Sequence, residues 1–326
     1  MRSRLTRRKA IAALTAGVAA AGAAALGAAT WRRTLSDAEM ADLYAATSPP
    51  AFQPHHVFHL GHSLVGRDMP AMLAQLAPDG HRYESQLGWG TPLRSHWEPD
   101  RIPIGGFEAE NAHPRYRDVR QALASGTYTA FILTEMVEIK DAIRYHQSAK
   151  HLRNWAHLAR DANPDIRLYL YETWHDLTDP EGWLNRLDLD LGRYWDRKIL
   201  RPALAADRTI GPIYVIPAGQ VLGAFVRDLE RLGGIDELRS RDDLFARAPD
   251  GKLDTIHMGD LGNYLVALTH YAVLYQRSPV GLPSQLIRAD GNPAMAASSA
   301  AARLMQETVW RVVASQPLSG VPRSEA

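Results

Sequence analysis

The chain alternates between short, mostly apolar runs and longer amphipathic stretches. Residues 57–60, 129–133, 167–171 and Ile213–Pro217 are rich in β-branched and aromatic side chains and read as buried strands. Residues 83–87 form a weaker candidate. Between the runs, helical patterns cover residues 67–77, 141–163 and 184–206. After Met258, the residues Leu261, Leu265, Leu268 and Ala272 recur at helical spacing and predict the clearest of the later helices. Strand and helix in alternation predict an α/β chain, with a mostly parallel sheet between two helical layers. No internal repeat or low-complexity linker interrupts the pattern. One domain is predicted over residues 55–315, preceded by a polar lead over 30–54 and followed by a loose tail over 316–326.

The first 29 residues do not fit that pattern. A basic start containing Thr6-Arg7-Arg8-Lys9 leads into an uncharged run of alanine and glycine, with small residues at Gly27-Ala28-Ala29. This is the arrangement of a twin-arginine export signal, cleaved or kept as an amino-terminal anchor. The rest of the chain is then expected beyond the cytoplasmic membrane, periplasmic or secreted, with membrane contact only through this segment. The chain has no cysteine, which excludes stapling disulfides, thiol chemistry and thiolate metal sites. The formal charge is +1, and loss of residues 1–29 removes five basic residues and no acid, leaving −4. No basic stripe with interleaved aromatics is present, so a nucleic-acid partner has no support.

Chemistry concentrates where the first apolar run ends. Gly61-His62-Ser63 places a serine at the carboxyl end of a predicted strand, where open α/β sheets bind their ligands. Serine is also a favoured helix N-cap, and that structural role competes with a chemical one. A serine hydroxyl attacks only when a base takes its proton and a third group holds the base. Asp254-x-x-His257, read as lying in a loop before the helix that follows Met258, supplies both. His257 would accept the Ser63 proton, and Asp254 would orient the ring.

The order Ser63, Asp254, His257 on an α/β chain resembles the SGNH, or GDSL-like, serine hydrolase superfamily. Gly61-His62-Ser63-Leu64 stands where that family has Gly-Asp-Ser-Leu. "LGWGTPLRSHW", beginning at Leu87, is similar to a glycine block of an uncharacterised bacterial branch of the superfamily. "FILTEM" from Phe131, "YETWHD" from Tyr171 and "DTIHMGDLGNYLVALTHYAVLY" from Asp254 follow in the order of its other blocks. The resemblance implies a flavodoxin-like α/β/α sandwich and a serine esterase that needs no cofactor and no metal. It implies Ser63 as nucleophile with its own N–H as the first oxyanion donor, and Gly90 as the second, with Gly88 as alternate. The family's third donor is an asparagine that this chain lacks. Thr134-Glu135 stands in its place, which gives Thr134 as a candidate oxyanion donor and directs Glu135 to a substrate hydroxyl or a neighbouring arginine.

Other readings rest on fewer residues. His55, His56, His59 and His62 raise a metal site, but alternation along a strand sends near neighbours to opposite faces. His62 is expected to act beside Ser63. Trp89, Trp97 and Trp174 are placed to offer aromatic faces to sugar rings or simply to pack, and Trp89 and Trp174 join His62 and Glu135 as the substrate-binding candidates. Asp188 and Asp190 read as a solvated helix face, and no acid pair displaces the serine constellation in favour of a glycosidase. The expected activity is removal of a small acyl group, plausibly acetyl, from a small-molecule or glycan ester. Two rivals are an acyltransferase using the same three residues and a non-catalytic glycan-binding protein with a decayed oxyanion hole. Because the twin arginine is what an export receptor of this kind reads, replacing Arg7 and Arg8 with lysine should hold the protein in the cytoplasm. Fractionation showing unchanged export of that variant would reject the signal.

Overall fold

The computed structural model describes residues 33–45 and 53–322; the proposed signal at residues 1–29 lies outside them. Five parallel strands form the central sheet: β1 (His56–Leu60), β2 (Arg82–Gln86), β3 (Ala130–Leu133), β4 (Arg167–Glu172) and β5 (Ile213–Pro217), in the order β2-β1-β3-β4-β5. All neighbours pair in parallel, the flavodoxin-like order in which the chain first moves outward to β2 and then returns across the sheet. The three-layer α/β/α architecture follows from the strand sequences. On one face Val57, Ile132, Tyr169, Tyr171, Tyr214 and Ile216 meet the helices Asp68–Leu76, Ala218–Leu232, Asp260–Tyr275 and Ser299–Ser315. Their immediate neighbours Phe58, Leu60, Phe131, Leu133, Leu168, Leu170 and Val215 point to the other face, against helices that include Val119–Ala124 and Ser148–Ala162.

The pattern departs from its reading in several places. The stretch expected as one helix over 141–163 is two, Ile139–His146 and Ser148–Ala162, broken at Gln147, whose φ of 53° is left-handed. The stretch over 184–206 is continuous but widens into a π-helix at Leu191–Leu200 before Pro202, whose ring cannot accept the preceding helical turn unchanged. Asp190, read as solvated, is buried. A two-stranded antiparallel unit, β6 (Phe245–Arg247) with β7 (Leu253–Met258), stands apart from the main sheet. The lead is not detached, since Leu35 and Met40 are buried in the second core and the Tyr44 hydroxyl donates to the Ile213 carbonyl. Nor is the start of the tail, where Ser319 and Val321 are buried.

The interior holds many imidazoles. His55, His62, His96 and His270 are held down to about 4, and His81 to about 3, by loss of water on burial; His59 is lowered from the same cause. Burial acts in the opposite direction on two carboxyls, lifting Glu135 to about 7 and Glu172 to about 8. Between about pH 4 and 6.5 the unfolded chain therefore binds more protons at these histidines than the fold does, and stability rises with pH. Past about pH 7 the histidines are mostly neutral in both states and the two carboxyls that hold extra protons in the fold dominate, so stability falls again. Stability should peak near about pH 7, with each buried histidine contributing a loss of about 1–2 kcal/mol by pH 5. Urea unfolding at pH 5, 7 and 9 checks this, and equal or greater stability at pH 5 contradicts it.

Candidate active site

Register brings three loops together at the carboxyl edge of the sheet. Leu60, the last residue of β1, pairs with Gln86 on one side and Leu133 on the other. The ladder runs one step further through Gly61 N–H to the Gln86 carbonyl (3.3 Å) and Thr134 N–H to the Leu60 carbonyl (3.0 Å). Residues 61–67, 87–92 and 134–138 thus leave the sheet side by side. Gly61 is required there, because a Cβ at this position would lie 2.3 Å from the Thr134 methyl.

Ser63 sits in a tight turn, not at the helix start. Val65 N–H closes the turn on the His62 carbonyl at 2.9 Å, and the helix begins only at Asp68 with Arg67 at its N-cap. That removes the capping role for Ser63. Two buried histidines hold the turn. His96 donates from Nε2 to the Gly61 carbonyl (2.8 Å) and accepts at Nδ1 from the Gln86 amide (3.1 Å), while Gln86 Oε1 accepts from Val119 N–H. His62 donates from Nε2 to the Glu135 carbonyl (2.8 Å) and accepts at Nδ1 from Leu64 N–H (3.3 Å). Each ring needs one protonated and one bare nitrogen for this pair of contacts, so both must be neutral. Burial, which holds both near 4, keeps them so.

His257 reaches Ser63 from β7. Its Nε2 lies 3.0 Å from Ser63 Oγ, and its Nδ1 lies 2.8 Å from Asp254 Oδ2. The carboxylate fixes Nδ1 as the protonated nitrogen, which leaves the Nε2 lone pair facing the hydroxyl. Asp254 Oδ1 also accepts the N–H groups of Ile256 and His257, both at 2.9 Å. Burial raises the Asp254 carboxyl, but these two N–H bonds and the His257 ring outweigh it, and the net position is below the ordinary range. The pair was expected in a loop and lies on a strand. Alternation would point residues three apart to opposite faces; the Asp254 carboxylate instead curls forward over its own backbone. The loop after β4 braces the strand at three points: Trp174 Nε1 to the Ile256 carbonyl (2.7 Å), Leu177 N–H to the Thr255 carbonyl (2.9 Å), and Thr255 Oγ1 to Asp176 (2.7 Å).

The N–H groups of Ser63 and Gly90 donate to no other group among the described residues. Gly90 is exposed, with a φ of 51° and open space where a Cβ would be. Gly88 is enclosed, by Ile104 and Thr91. Asn111, which stands in no recognisable motif, clamps the same loop by accepting from Leu87 N–H (3.0 Å) and donating to the Leu87 carbonyl (2.8 Å).

Four expected roles are corrected by burial. Thr134 is fully buried and gives its hydroxyl to the Tyr171 carbonyl (2.8 Å), so it is not an oxyanion donor. Glu135 is fully buried, and its Oε1 accepts from Leu93 N–H (3.1 Å) and Met136 N–H (2.9 Å); it meets no substrate. His62 and Trp174 are buried supports of the turn and of β7, not binding groups. Trp89 differs, because its side chain is 61% exposed and its ring lies over Gly106, where no Cβ would fit.

No family model and no curated protein matches the chain. Among solved structures, a DUF4886 family protein from Bacteroides uniformis superposes with a TM-score of 0.52 at 15% identity, covering 83% of this chain and all of that one. The two share a fold. A protein from Parabacteroides merdae assigned as a GDSL-like lipase covers 70% of this chain and 100% of its own at 11% identity, with a TM-score of 0.41, too loose a likeness to bear on function.

Thr134→Val keeps the shape of the side chain and removes only the hydroxyl. It should cost about 1–3 kcal/mol of stability through the orphaned Tyr171 carbonyl and leave aryl-ester turnover within about threefold. Loss of a true oxyanion donor lowers turnover by about 10²–10³. A drop of that size in a stably folded variant would return Thr134 to the site.

Proposed function

We propose that the chain is a serine ester hydrolase of the SGNH type, removing a small acyl group from a hydroxylated, carbohydrate-type substrate. One observation carries this reading: the continuous relay from Ser63 Oγ through His257 to Asp254, beside two backbone N–H groups without partners among the described residues. As His257 Nε2 takes the hydroxyl proton, Ser63 Oγ attacks the ester carbonyl. The tetrahedral oxyanion is met by the N–H groups of Ser63 and Gly90, and the Asp254 carboxylate stabilises the imidazolium. The ring then gives its proton to the leaving alkoxide. Water, activated by the same ring, repeats the sequence on the acyl-enzyme and frees the acid.

Hydrolysis is favoured over transfer because the site is open. Ser63 is half-buried, and the His257 side chain is 44% exposed, so water reaches the acyl-enzyme. The carbohydrate part rests on the exposed Trp89 ring next to Gly90 and on the expected export.

A fluorophosphonate probe should label Ser63 in the purified protein and not in Ser63→Ala. Ser63→Ala and Asp254→Asn should each lower aryl-acetate turnover by about 10⁴, since the three groups act as a unit. A folded wild-type protein that takes no label and hydrolyses no ester would leave a binding protein as the reading.

A further inference from the structure

Next to Trp174 in sequence, the loop after β4 meets the loop after β3 in a second cluster. His175, Asp179 and Glu138 each place one ligand-type atom within 4.8 Å of the others. The two carboxylates alone would mean little. His175 is the distinguishing group: it is buried, its Nε2 lies 3.2 Å from Asp190 Oδ2, and its Nδ1 is buried with no partner among the described residues. A carboxylate on one ring nitrogen and a bare lone pair on the other is how a metal-binding histidine is held. With Nε2 occupied, Nδ1 is the nitrogen left for an ion.

We propose that Glu138, His175 and Asp179 bind a divalent cation, zinc by their donor set, and so tie the loop after β3 to the loop after β4. Zinc takes imidazole nitrogen and carboxylate oxygen in a four-coordinate shell, so these three residues leave the fourth position for water. Charge agrees. Asp179 Oδ2 and Asp190 Oδ2 share Arg186 (2.7 and 2.6 Å), while Glu181 is paired with Lys140. Glu138, Asp179 and Asp190 against Arg186 leave two negative charges for the ion to match. Asp179 already accepts from Arg186 and from Glu181 N–H (2.8 Å), but each carboxylate oxygen keeps a second lone pair. Ligands around zinc stand about 3.3–3.6 Å apart, given bonds of about 2.0–2.2 Å. Glu138, which is exposed and makes no capping bond to the helix it precedes, has room to move towards that spacing. Such an ion would stiffen the loop whose Trp174, Asp176 and Leu177 hold β7, without touching Ser63 or His257.

The proposal is independent of ester hydrolysis and is read by binding. Titration of the chelator-treated full chain with Zn²⁺ should show one ion per chain, and saturation should raise Tm by several degrees. Glu138→Gln, a surface change, should weaken that binding by about 10-fold or more and abolish the Tm rise, and Asp190→Asn should weaken it about 10–100-fold. His257→Gln should leave both signals intact. No saturable Zn²⁺ site in the wild type overturns the proposal. So does a site that Glu138→Gln leaves unchanged, or one that His257→Gln removes.

Discussion

Everything at this site rests on hydrogen bonds that buried, neutral histidines give to the carbonyls around the turn after β1. A strand that ends inside a protein leaves backbone groups that must be satisfied, and water cannot do it there. His96 answers the Gly61 carbonyl and His62 answers the Glu135 carbonyl. A charged ring could serve neither contact pair, because its second nitrogen would face another donor, the Gln86 amide or Leu64 N–H. The low dielectric that makes an unpaired carbonyl costly is also what keeps these rings neutral. The same burial that shapes the turn therefore makes the whole fold sensitive to acid.

Asp254 and His257 reach Ser63 from almost two hundred residues further along the chain, so their position depends on bracing. β7 belongs to a two-stranded unit with no ladder to the main sheet. Its orientation comes from the loop after β4, through Trp174, Asp176 and Leu177. That loop is anchored in turn, since Trp183 Nε1 donates to the His175 carbonyl (3.0 Å). A displacement of about 1 Å in a reacting group costs about 10²-fold in rate, so the buried Trp174 indole matters as much as a group that touches substrate.

The parts of this arrangement that were legible in the sequence are those that repeat. Four of the five strands show as apolar runs because a sheet covered on both faces admits little else; β2, the polar edge strand, is the faint one. The order of Ser63, Asp254 and His257 is visible because chemistry fixes those residue types. Burial by distant segments is not visible. Trp174 reads as a rim aromatic until β7, about eighty residues later, covers it, and Glu135 reads as a binding carboxylate until Leu93 N–H takes it. The break at Gln147 carries no glycine or proline to announce it. The Ala218–Leu232 helix starts directly at the end of β5 with no loop between them, so the apolar run of the strand hides its beginning. Asp190 sits among alternating leucines and acids, and nothing local says which acid faces inward.

The missing asparagine then takes on a structural meaning. With Thr134 bonded to Tyr171 and Glu135 bonded to backbone N–H groups, the two residues at the asparagine's place are spent on holding their neighbours, and neither side chain is turned to the serine. In the proposed reaction the oxyanion is left to the backbone of Ser63 and Gly90. Backbone donors are effective only if they are fixed before the charge develops. Ser63 is fixed by the two histidines. Gly90 has a left-handed φ and no side chain to pack, so its N–H is fixed by its neighbours: Asn111 clamping Leu87 and Trp89 N–H bonded to the Gly105 carbonyl (2.7 Å). Oxyanion stabilisation thus passes from a side chain that points at the charge to an amide clamp that holds a loop. In the proposed reaction Asn111 supports the oxyanion through the loop it clamps, without pointing at the charge itself.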